Sequence, residues 1–228
     1  MSAKAVPVVT IDGPGGSGKG TVSQLLAQRL GWNYLDSGAL YRLVALAVEE
    51  RGVTVADAAA IADLAAQLDV RFEWRDGQFE TLMDGAPVSA RLRSESVSAL
   101  ASHVAAIPEV RSALIARQRA YRQAPGLVAD GRDMGTVIFP AATLKIFLTA
   151  SVAERAQRRY KQLKDKGENV TLSRLFRDIE KRDTRDRTRP VAPLIPANDA
   201  HIIDSTELGI IEVLERILKL LEENQVIC

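Results

Sequence analysis

The feature that most restricts the fold of this chain is a glycine-dense turn between an apolar segment and an amphipathic one. Residues 6–11 form a short apolar run with β-branched side chains, typical of a buried parallel strand, and the turn at residues 13–20 follows. Residues 21–30 then carry apolar side chains at helical spacing, with Gly31 as a suitable stop. Strand, glycine-rich turn and helix in this order indicate the start of an α/β fold.

The same turn predicts a phosphate-binding site. Gly13 to Lys19 matches the pattern Gly-x-x-x-x-Gly-Lys, in which backbone N–H groups converge on phosphate oxygens. The next helix points its positive end at the same anion, and Lys19 reaches the outer phosphates from a turn that we expect to face solvent. The alternative is a turn that is merely flexible, but it does not explain why the full pattern occurs between a predicted strand and a predicted helix. The predicted nucleotide-binding residues of the turn are Gly13, Pro14, Gly15, Gly16, Ser17, Gly18, Lys19, Gly20 and Thr21.

The residue after Lys19 distinguishes two classes of phosphate-binding protein. Gly20 occupies the position where a Ser or Thr usually ligates magnesium, and Thr21 comes one residue later. This Gly-Lys-Gly-Thr sequence resembles the loop of nucleoside monophosphate kinases, and the guanine-reading motif Asn-Lys-x-Asp does not occur in the sequence. The switch GTPases are therefore excluded, and the residues that ligate a metal stay unknown.

Composition and charge narrow the remaining function classes. The 228 residues are 46% hydrophobic and 26% charged, as in an ordinary globular protein with a sizeable core. Thirty Lys and Arg against 29 Asp and Glu leave a formal charge of +1, which gives no global field for nucleic acid. The single cysteine, Cys228, suits a reducing compartment, and neither a signal peptide nor a membrane-spanning apolar run is evident. We expect a cytoplasmic protein.

Three later segments predict further strands of the central sheet. Residues 127–130 end in a carboxylate, residues 144–148 precede a helix-like stretch, and residues 201–204 again end in an acid. Residues 208–223 are strongly periodic and predict a final helix. The predicted fold is therefore α/β, with a doubly wound parallel sheet of the P-loop type.

Two segments depart from the parallel pattern. Residues 69–74 and 78–83 predict an antiparallel hairpin around the turn signal Asp76-Gly77, and with it a small inserted subdomain at about residues 68–92. Residues 174–196 are arginine-dense and then rich in proline, and Arg155, Arg158 and Arg159 precede them; the arginines predict a short lid at about residues 155–190. The alternative for this stretch is a solvated helix face with i,i+4 ion pairs, the commoner fate of a charge run.

Three further motifs carry a resemblance to a known family. They are Asp36-Ser-Gly-Ala-Leu-Tyr-Arg42, Asp130-Gly-Arg-Asp-Met-Gly-Thr136 and Arg182-Asp-Thr-Arg-Asp-Arg-Thr-Arg189. In this order, and over essentially the whole chain, they resemble the bacterial-type cytidylate kinases. The resemblance implies a single P-loop kinase domain over residues 1–228 that phosphorylates CMP, and also dCMP, with ATP and Mg²⁺ in pyrimidine nucleotide metabolism. It implies a monomer whose partners are these nucleotides, not nucleic acid or a membrane.

The resemblance also implies which residues contact the nucleoside part of the acceptor. Ser102, Arg111 and Asp133 are implied to contact the cytosine base, and Arg182 and Asp186 mainly the ribose and its surroundings. The residue types fit these roles, because the cytosine N4 amine donates to a carboxylate while O2 and N3 accept from arginine or hydroxyl groups.

The resemblance also implies which residues bind the phosphate of the acceptor and which line its pocket. Arg42, Arg132 and Arg189 are implied to bind phosphate, and Ser37 and Tyr41 to line the acceptor pocket. Planar guanidinium groups bind phosphate through two parallel contacts, which suits this role.

Catalysis is then implied to depend on a few of these groups. The candidates are Lys19, Arg132, Arg189 and Asp130, and Asp130 is a strand-end carboxylate of the kind that orients magnesium or an arginine. Arg158 is a candidate for the adenine side of the donor site.

Three alternative functions stay open from the residues. One is a kinase with another small acceptor, such as UMP, AMP or a metabolite hydroxyl, against which only Ser102, Arg111 and Asp133 argue. Another is a nucleotide-binding regulator that hydrolyses ATP slowly. The third is nucleic-acid binding by residues 155–189, which predicts an affinity that falls steeply with salt.

Overall fold

The computed structural model, which describes residues 5–75, 78–165 and 167–226, is built around a parallel β-sheet. In chain order its elements are β1 (Val8–Asp12), α1 (Lys19–Leu30), β2 (Asn33–Asp36), α2 (Ser37–Arg51), α3 (Ala58–Gln67), β3 (Val70–Arg75), β4 (Gln78–Met83), β5 (Ala86–Pro87), α4 (Glu95–Val104), α5 (Pro108–Ala120), β6 (Leu127–Gly131), β7 (Leu144–Thr149), α6 (Val152–Asp165), α7 (Leu172–Thr188), β8 (His201–Asp204) and α8 (Ile210–Glu223). A 3-10 turn at Arg91–Arg93 precedes α4, and a π-helical turn at Met134–Ile138 follows β6.

The parallel sheet has the strand order β2-β6-β1-β7-β8. Strands β1 and β6 are buried along their whole length, which explains why both are apolar runs without alternation. Their register pairs Ile11 with Asp130 and Asp12 with Gly131, so the acidic residues of both strands lie at the same edge of the sheet. The predicted α/β fold with a parallel sheet is confirmed.

The described residues divide into two compact units, one up to Leu35 and from Tyr121 onward, the other Asp36–Ala120. In the second unit β3, β4 and β5 form an antiparallel sheet, which confirms the predicted hairpin. The predicted Asp76-Gly77 turn lies outside the described residues. An inserted subdomain at about residues 68–92 stays a prediction.

Helix α2 is the central helix of the Asp36–Ala120 unit. It is buried on nearly all sides between Ala39 and Val48, which explains why its sequence is apolar around most of its circumference. The Asp36 carboxylate caps its start by accepting the Ala39 N–H at 2.8 Å, and Gly52 ends it in the left-handed conformation.

Helix starts differ from the predictions for local reasons. Helix α1 begins at Lys19, two residues early, because Gly18 ends the turn in a left-handed conformation. Helix α8 begins at Ile210, two residues late, because the Gly209 N–H donates to Glu212 Oε2 at 2.7 Å and closes the first turn there.

Two helices, α6 and α7, occupy the region of the predicted lid. Its action as a lid stays a prediction. Across residues 5–75, 78–165 and 167–226, every helix is too short or too polar to span a lipid bilayer.

A close backbone contact holds β2 beside β6. A Cβ atom at Gly126 would stand 2.3 Å from Cδ2 of the Trp32 ring. The Gly126 carbonyl accepts the Asn33 N–H at 2.9 Å and the Asn33 side-chain amide at 3.0 Å, so its backbone is fixed while the ring covers it. Glycine is therefore the residue that fits at this position.

We expect Gly126→Ala to lower the free energy of unfolding by about 1–3 kcal/mol, the usual range for overpacking. Urea unfolding should be measured for this variant alone and in a Trp32→Leu background, where the smaller side chain leaves room for the added methyl group. An equal loss in both backgrounds would show that the ring contact is not the cause.

Candidate functional site

The phosphate loop begins and ends on glycines with left-handed backbone angles. Gly13 has φ 148°, and a Cβ there would lie 2.0 Å from the Leu148 carbonyl oxygen of β7. Gly18 precedes α1 with φ 93° and provides no side-chain cap. The first intrahelical bond runs from the Val22 N–H to the Gly18 carbonyl at 3.1 Å, so the N–H groups of the first turn are left to bind an anion.

The carbonyl groups of the loop are held by donors from the surrounding protein. The Gly15 carbonyl accepts from Arg155 Nη1 at 3.0 Å, and the Ser17 carbonyl accepts from the Ser205 hydroxyl at 3.1 Å. The Pro14 carbonyl accepts from the Ser17 hydroxyl at 3.1 Å. Because these donors fix the peptide planes, they hold the loop in the conformation shown here.

Lys19 is buried, so the prediction of a solvent-facing lysine is wrong. As the first residue of α1, it has a side chain that leans toward the helix N-terminus and back over the loop. Its Nζ donates to the Pro14 carbonyl at 3.0 Å and lies 3.9 Å from Asp130 Oδ1. Burial and the neighbouring Arg132 guanidinium lower the pKa of Lys19 to about 7, although Asp130 opposes this shift.

Three arginines surround the carboxylate of Asp186 in the same unit. Arg132 Nε donates to Asp186 Oδ2 at 3.1 Å. Burial would raise the pKa of Asp186, but Arg132, Arg182 and Arg189 together hold it below its ordinary value. A Cβ at Gly15 would lie 3.5 Å from Arg132 Nη2 and 3.6 Å from Arg182 Nη1, so this cluster borders the phosphate loop.

Asp12 anchors the turn that carries two of the predicted site residues. Its two carboxylate oxygens accept the N–H groups of Met134 at 2.9 Å and Gly135 at 2.8 Å. Burial raises the pKa of Asp12 to about 7, although the two N–H groups lower it; the nearby Asp133 adds to the rise. Asp12 thereby fixes the chain that follows Arg132 and Asp133.

Arg158, the candidate for the adenine side, lies on α6 and reaches the segment after β8. Its Nη2 donates to the Ser205 carbonyl at 2.6 Å and its Nε to Glu154 at 2.8 Å. Since Ser205 also donates to the Ser17 carbonyl, Arg158 is linked to the phosphate loop through one residue.

In the Asp36–Ala120 unit, the start of α2 carries three predicted acceptor residues. Arg42 Nη2 donates to Asp36 Oδ2 at 2.9 Å, so the residue that caps the helix also holds this arginine. The Ser37 hydroxyl donates to Gln118 Oε1 of α5 at 2.8 Å, and both residues are buried.

The third of these residues, Tyr41, lies close to Arg111. The Arg111 guanidinium carbon is 5.6 Å from the centre of the Tyr41 ring, within the range of a cation–π contact. Arg111 is buried and also donates to the Ala105 carbonyl at 3.2 Å. Ser102 is buried too, and its hydroxyl has no hydrogen-bond partner among the described residues. A buried hydroxyl without a partner is unfavourable unless a ligand satisfies it.

Comparisons with known proteins identify the family. The family model described as cytidylate kinase matches residues 9–223. The chain belongs to the cytidylate kinase family. It is 61% identical over 214 residues to a cytidylate kinase of Pseudomonas fluorescens, covering 93% of each chain. It is 59% identical over 217 residues to that of Stutzerimonas stutzeri, covering 94% of this chain and 95% of the relative.

A solved structure supports the fold alone. An uncharacterized protein from Eubacterium ventriosum superimposes with a TM-score of 0.50 at 12% identity, covering 95% of this chain and 98% of the other. Its low identity carries no information on substrate.

For a member of this family, the structure brings the predicted residues together in two groups. Arg132, Arg182, Asp186 and Arg189 form one group, beside the phosphate loop. In the Asp36–Ala120 unit, Tyr41 and Arg111 form the other. Their roles toward a nucleotide stay predictions.

Sequence reasoning missed four residues that shape the site. Asp12 ends a strand just before Gly13, and the strand-end rule applied to Asp130 would have found it. Arg155, Ser205 and Gln118 carry no such signal, because each makes its contact with a residue far away in the sequence.

The raised pKa of Asp12 predicts a pH-dependent stability. Between about pH 4 and pH 7 the folded chain keeps a proton on Asp12 that the unfolded chain has released, since the pKa rises from 3.8 to about 7 on folding. The contribution of Asp12 to the free energy of unfolding should therefore fall as pH rises, by up to about 1.4 kcal/mol per pH unit.

The contribution of Asp12 can be isolated by urea unfolding of the wild type and of Asp12→Asn. The measurement should run between pH 4.5 and pH 8, roughly the window in which Asp12 titrates. We expect the advantage of the wild type over the variant to shrink as pH rises, because asparagine does not titrate. A difference that stays constant over the window would contradict a raised pKa.

Proposed function

We propose that this chain transfers the γ-phosphoryl group of ATP to CMP, giving CDP and ADP. The observation that carries the proposal is the gathering of Lys19, Arg132 and Arg182 at a preorganised phosphate loop, in a chain of the cytidylate kinase family. An oxygen of the CMP phosphate attacks the γ-phosphorus while the bond to the β–γ bridging oxygen breaks. The protein needs no nucleophilic side chain, so catalysis consists of positioning and charge stabilisation.

We propose that Lys19 acts as a cation in the reaction and that the bound nucleotide keeps its amine protonated. Lys19 has a lowered pKa and donates to the Pro14 carbonyl. A polyphosphate in the loop brings negative charge next to Nζ, which favours the protonated form. The lysine is then a cation at the point where charge moves during transfer.

Mg²⁺ is proposed to bind with ATP and to neutralise phosphate charge. Asp130 is the residue that we propose to hold it, because Asp130 Oδ2 lies 3.5 Å from the Cβ position of Gly20 at the start of α1. The described residues contain no group of three or more metal-ligating side chains. One carboxylate together with phosphate oxygens and water is the arrangement that Mg²⁺ commonly adopts in kinases.

The contacts to the acceptor base are proposed from the family resemblance, and the burial of the Ser102 hydroxyl supports them. We propose that Ser102 and Arg111 contact cytosine from the Asp36–Ala120 unit, and that Asp133 accepts the N4 amine. The buried Ser102 hydroxyl without a described partner supports a polar ligand at this position. We propose dCMP as a second acceptor from the family resemblance.

The phosphate and ribose contacts are proposed in the same way. Arg42, Arg132 and Arg189 are proposed to bind phosphate, Arg182 and Asp186 the ribose, and Arg158 the adenine side. Residues 155–190 are proposed to close as a lid over the nucleotides. We further propose, from the family resemblance, a cytoplasmic monomer that acts on small nucleotides rather than on nucleic acid or a membrane. The single cysteine supports a reducing compartment, and the near-neutral charge gives no global field for nucleic acid.

We expect Lys19→Ala to lower kcat by about 10²–10³, the usual scale for one preorganised charge at a transition state. Because Lys19 is buried, Lys19→Met should be measured beside it as a variant that fills more of the space. Lys219→Ala, on the exposed face of α8, is the matched control and should retain wild-type turnover. CDP formation coupled to ADP release gives kcat, and thermal unfolding reports whether each variant folds. Near wild-type activity in a folded Lys19→Ala variant would remove Lys19 from the mechanism.

The base assignment is tested by Asp133→Asn. A carboxylate that accepts the cytosine N4 amine faces the O4 acceptor of UMP, so the wild type should prefer CMP by roughly tenfold to a hundredfold or more. Asparagine can turn its amide to donate to O4, so the variant should lose kcat/KM for CMP and narrow the CMP/UMP ratio, with the KM for ATP little changed. If both acceptors weaken equally, Asp133 supports Arg132 and does not read the base.

A further inference from the structure

Arg155 is the largest fully buried side chain among the described residues, and its guanidinium contacts three separate parts of the chain. Nε donates to the Ala150 carbonyl at 2.9 Å, and Nη1 donates to the Gly15 carbonyl at 3.0 Å. Nη1 and Nη2 also donate to the two carboxylate oxygens of Asp183 on α7, at 3.0 and 2.5 Å. Arg155 therefore joins the phosphate loop and α7 to the start of α6.

Gly15 is held between Arg155 and the arginine cluster. Its carbonyl bonds to Arg155, and its Cβ position lies 3.5 Å from Arg132 Nη2 and 3.6 Å from Arg182 Nη1. The next residue, Gly16, packs on the stem of Arg155, because a Cβ there would be 3.2 Å from Arg155 Cβ. A change at Arg155 would thus move the loop relative to the cluster.

Asp183 fixes the orientation of α7 in the same way. It lies on the turn that also carries Arg182 and Asp186, and three residues of separation place Asp183 and Asp186 on neighbouring parts of one helix face. A two-bond arginine–carboxylate pair restricts both distance and rotation. The contact between Arg155 and Asp183 therefore sets where Arg182 and Asp186 stand.

We propose that Arg155 is a positioning residue that holds the phosphate loop and helix α7 in register, so that the arginine cluster meets the phosphoryl group as it transfers. The proposal rests on the proposed function. Arg155 uses its donors on protein acceptors, so its effect on the reaction passes through Gly15 and Asp183.

If the Arg155–Asp183 pair served only stability, replacing both residues would affect stability and turnover together. Replacing a buried ion pair with apolar residues of similar volume often preserves or raises stability. Such a replacement cannot bond the Gly15 carbonyl or fix the rotation of α7. Stability and turnover should therefore separate in a variant that replaces both partners.

Two variants test the proposal. Asp183→Asn keeps the shape of the side chain but removes its charge, and we expect kcat to fall at least about tenfold while the KM for CMP stays within about threefold. The double variant Arg155→Met with Asp183→Leu should have a thermal midpoint close to that of the wild type. Its kcat should nevertheless be lowered, as in Asp183→Asn. Amide hydrogen exchange in the loop and in α7 should become faster in Asp183→Asn without nucleotide.

Glu223→Gln is the matched control, because Glu223 is an exposed residue of α8, outside the proposed lid, and its partner, Lys219, is also exposed. It should leave kcat and exchange unchanged. If the double variant recovers both thermal midpoint and kcat, or Asp183→Asn retains wild-type kcat, the positioning role is overturned. If the wild type itself fails to phosphorylate CMP, the proposed function is wrong, while the exchange result still tests whether the pair orders the loop and α7 together.

Discussion

The geometry of the site depends on one constraint: an anion site made of backbone N–H groups needs its carbonyl groups bonded elsewhere. In this chain the Pro14, Gly15 and Ser17 carbonyls find donors in Ser17 and Lys19, in Arg155, and in Ser205. Two of these donors belong to segments far along the chain. The phosphate loop is therefore shaped by α6 and by the segment after β8, although its sequence motif is contiguous.

The second constraint is the repulsion between cations that share a small volume. Arg132, Arg182 and Arg189 are tolerated together because Asp186 lies among them, and burial makes its negative charge effective at short range. Lys19 lies 3.9 Å from Asp130, but burial and the Arg132 guanidinium outweigh the charges of Asp130 and Asp12 and lower the pKa of Lys19 to about 7. The cations of this cluster and Lys19 together favour binding of a polyphosphate.

Much of the fold follows from the sequence, because local pattern and burial agree. The strand at residues 201–204 and the second strand of the hairpin at residues 78–83 were predicted to the residue. Burial of Lys19 was not predicted, since it depends on α1 beginning at Lys19 itself. The contact of Arg155 was not predictable either, because an arginine in a charged helix is usually exposed and its partner, Asp183, is 28 residues away.

The two strand-end carboxylates show how neighbouring residues of one type come to differ. Register places Asp12 and Asp130 at the same edge of the sheet. Burial raises the pKa of Asp12 although the two backbone N–H groups that it accepts lower it, and these two bonds fix the turn after β6. Asp130 instead lies 3.9 Å from Lys19 Nζ, at the start of α1. The groups that surround each carboxyl, rather than residue type or strand position, make Asp12 an anchor for the turn after β6 and place Asp130 beside Lys19 at the phosphate loop.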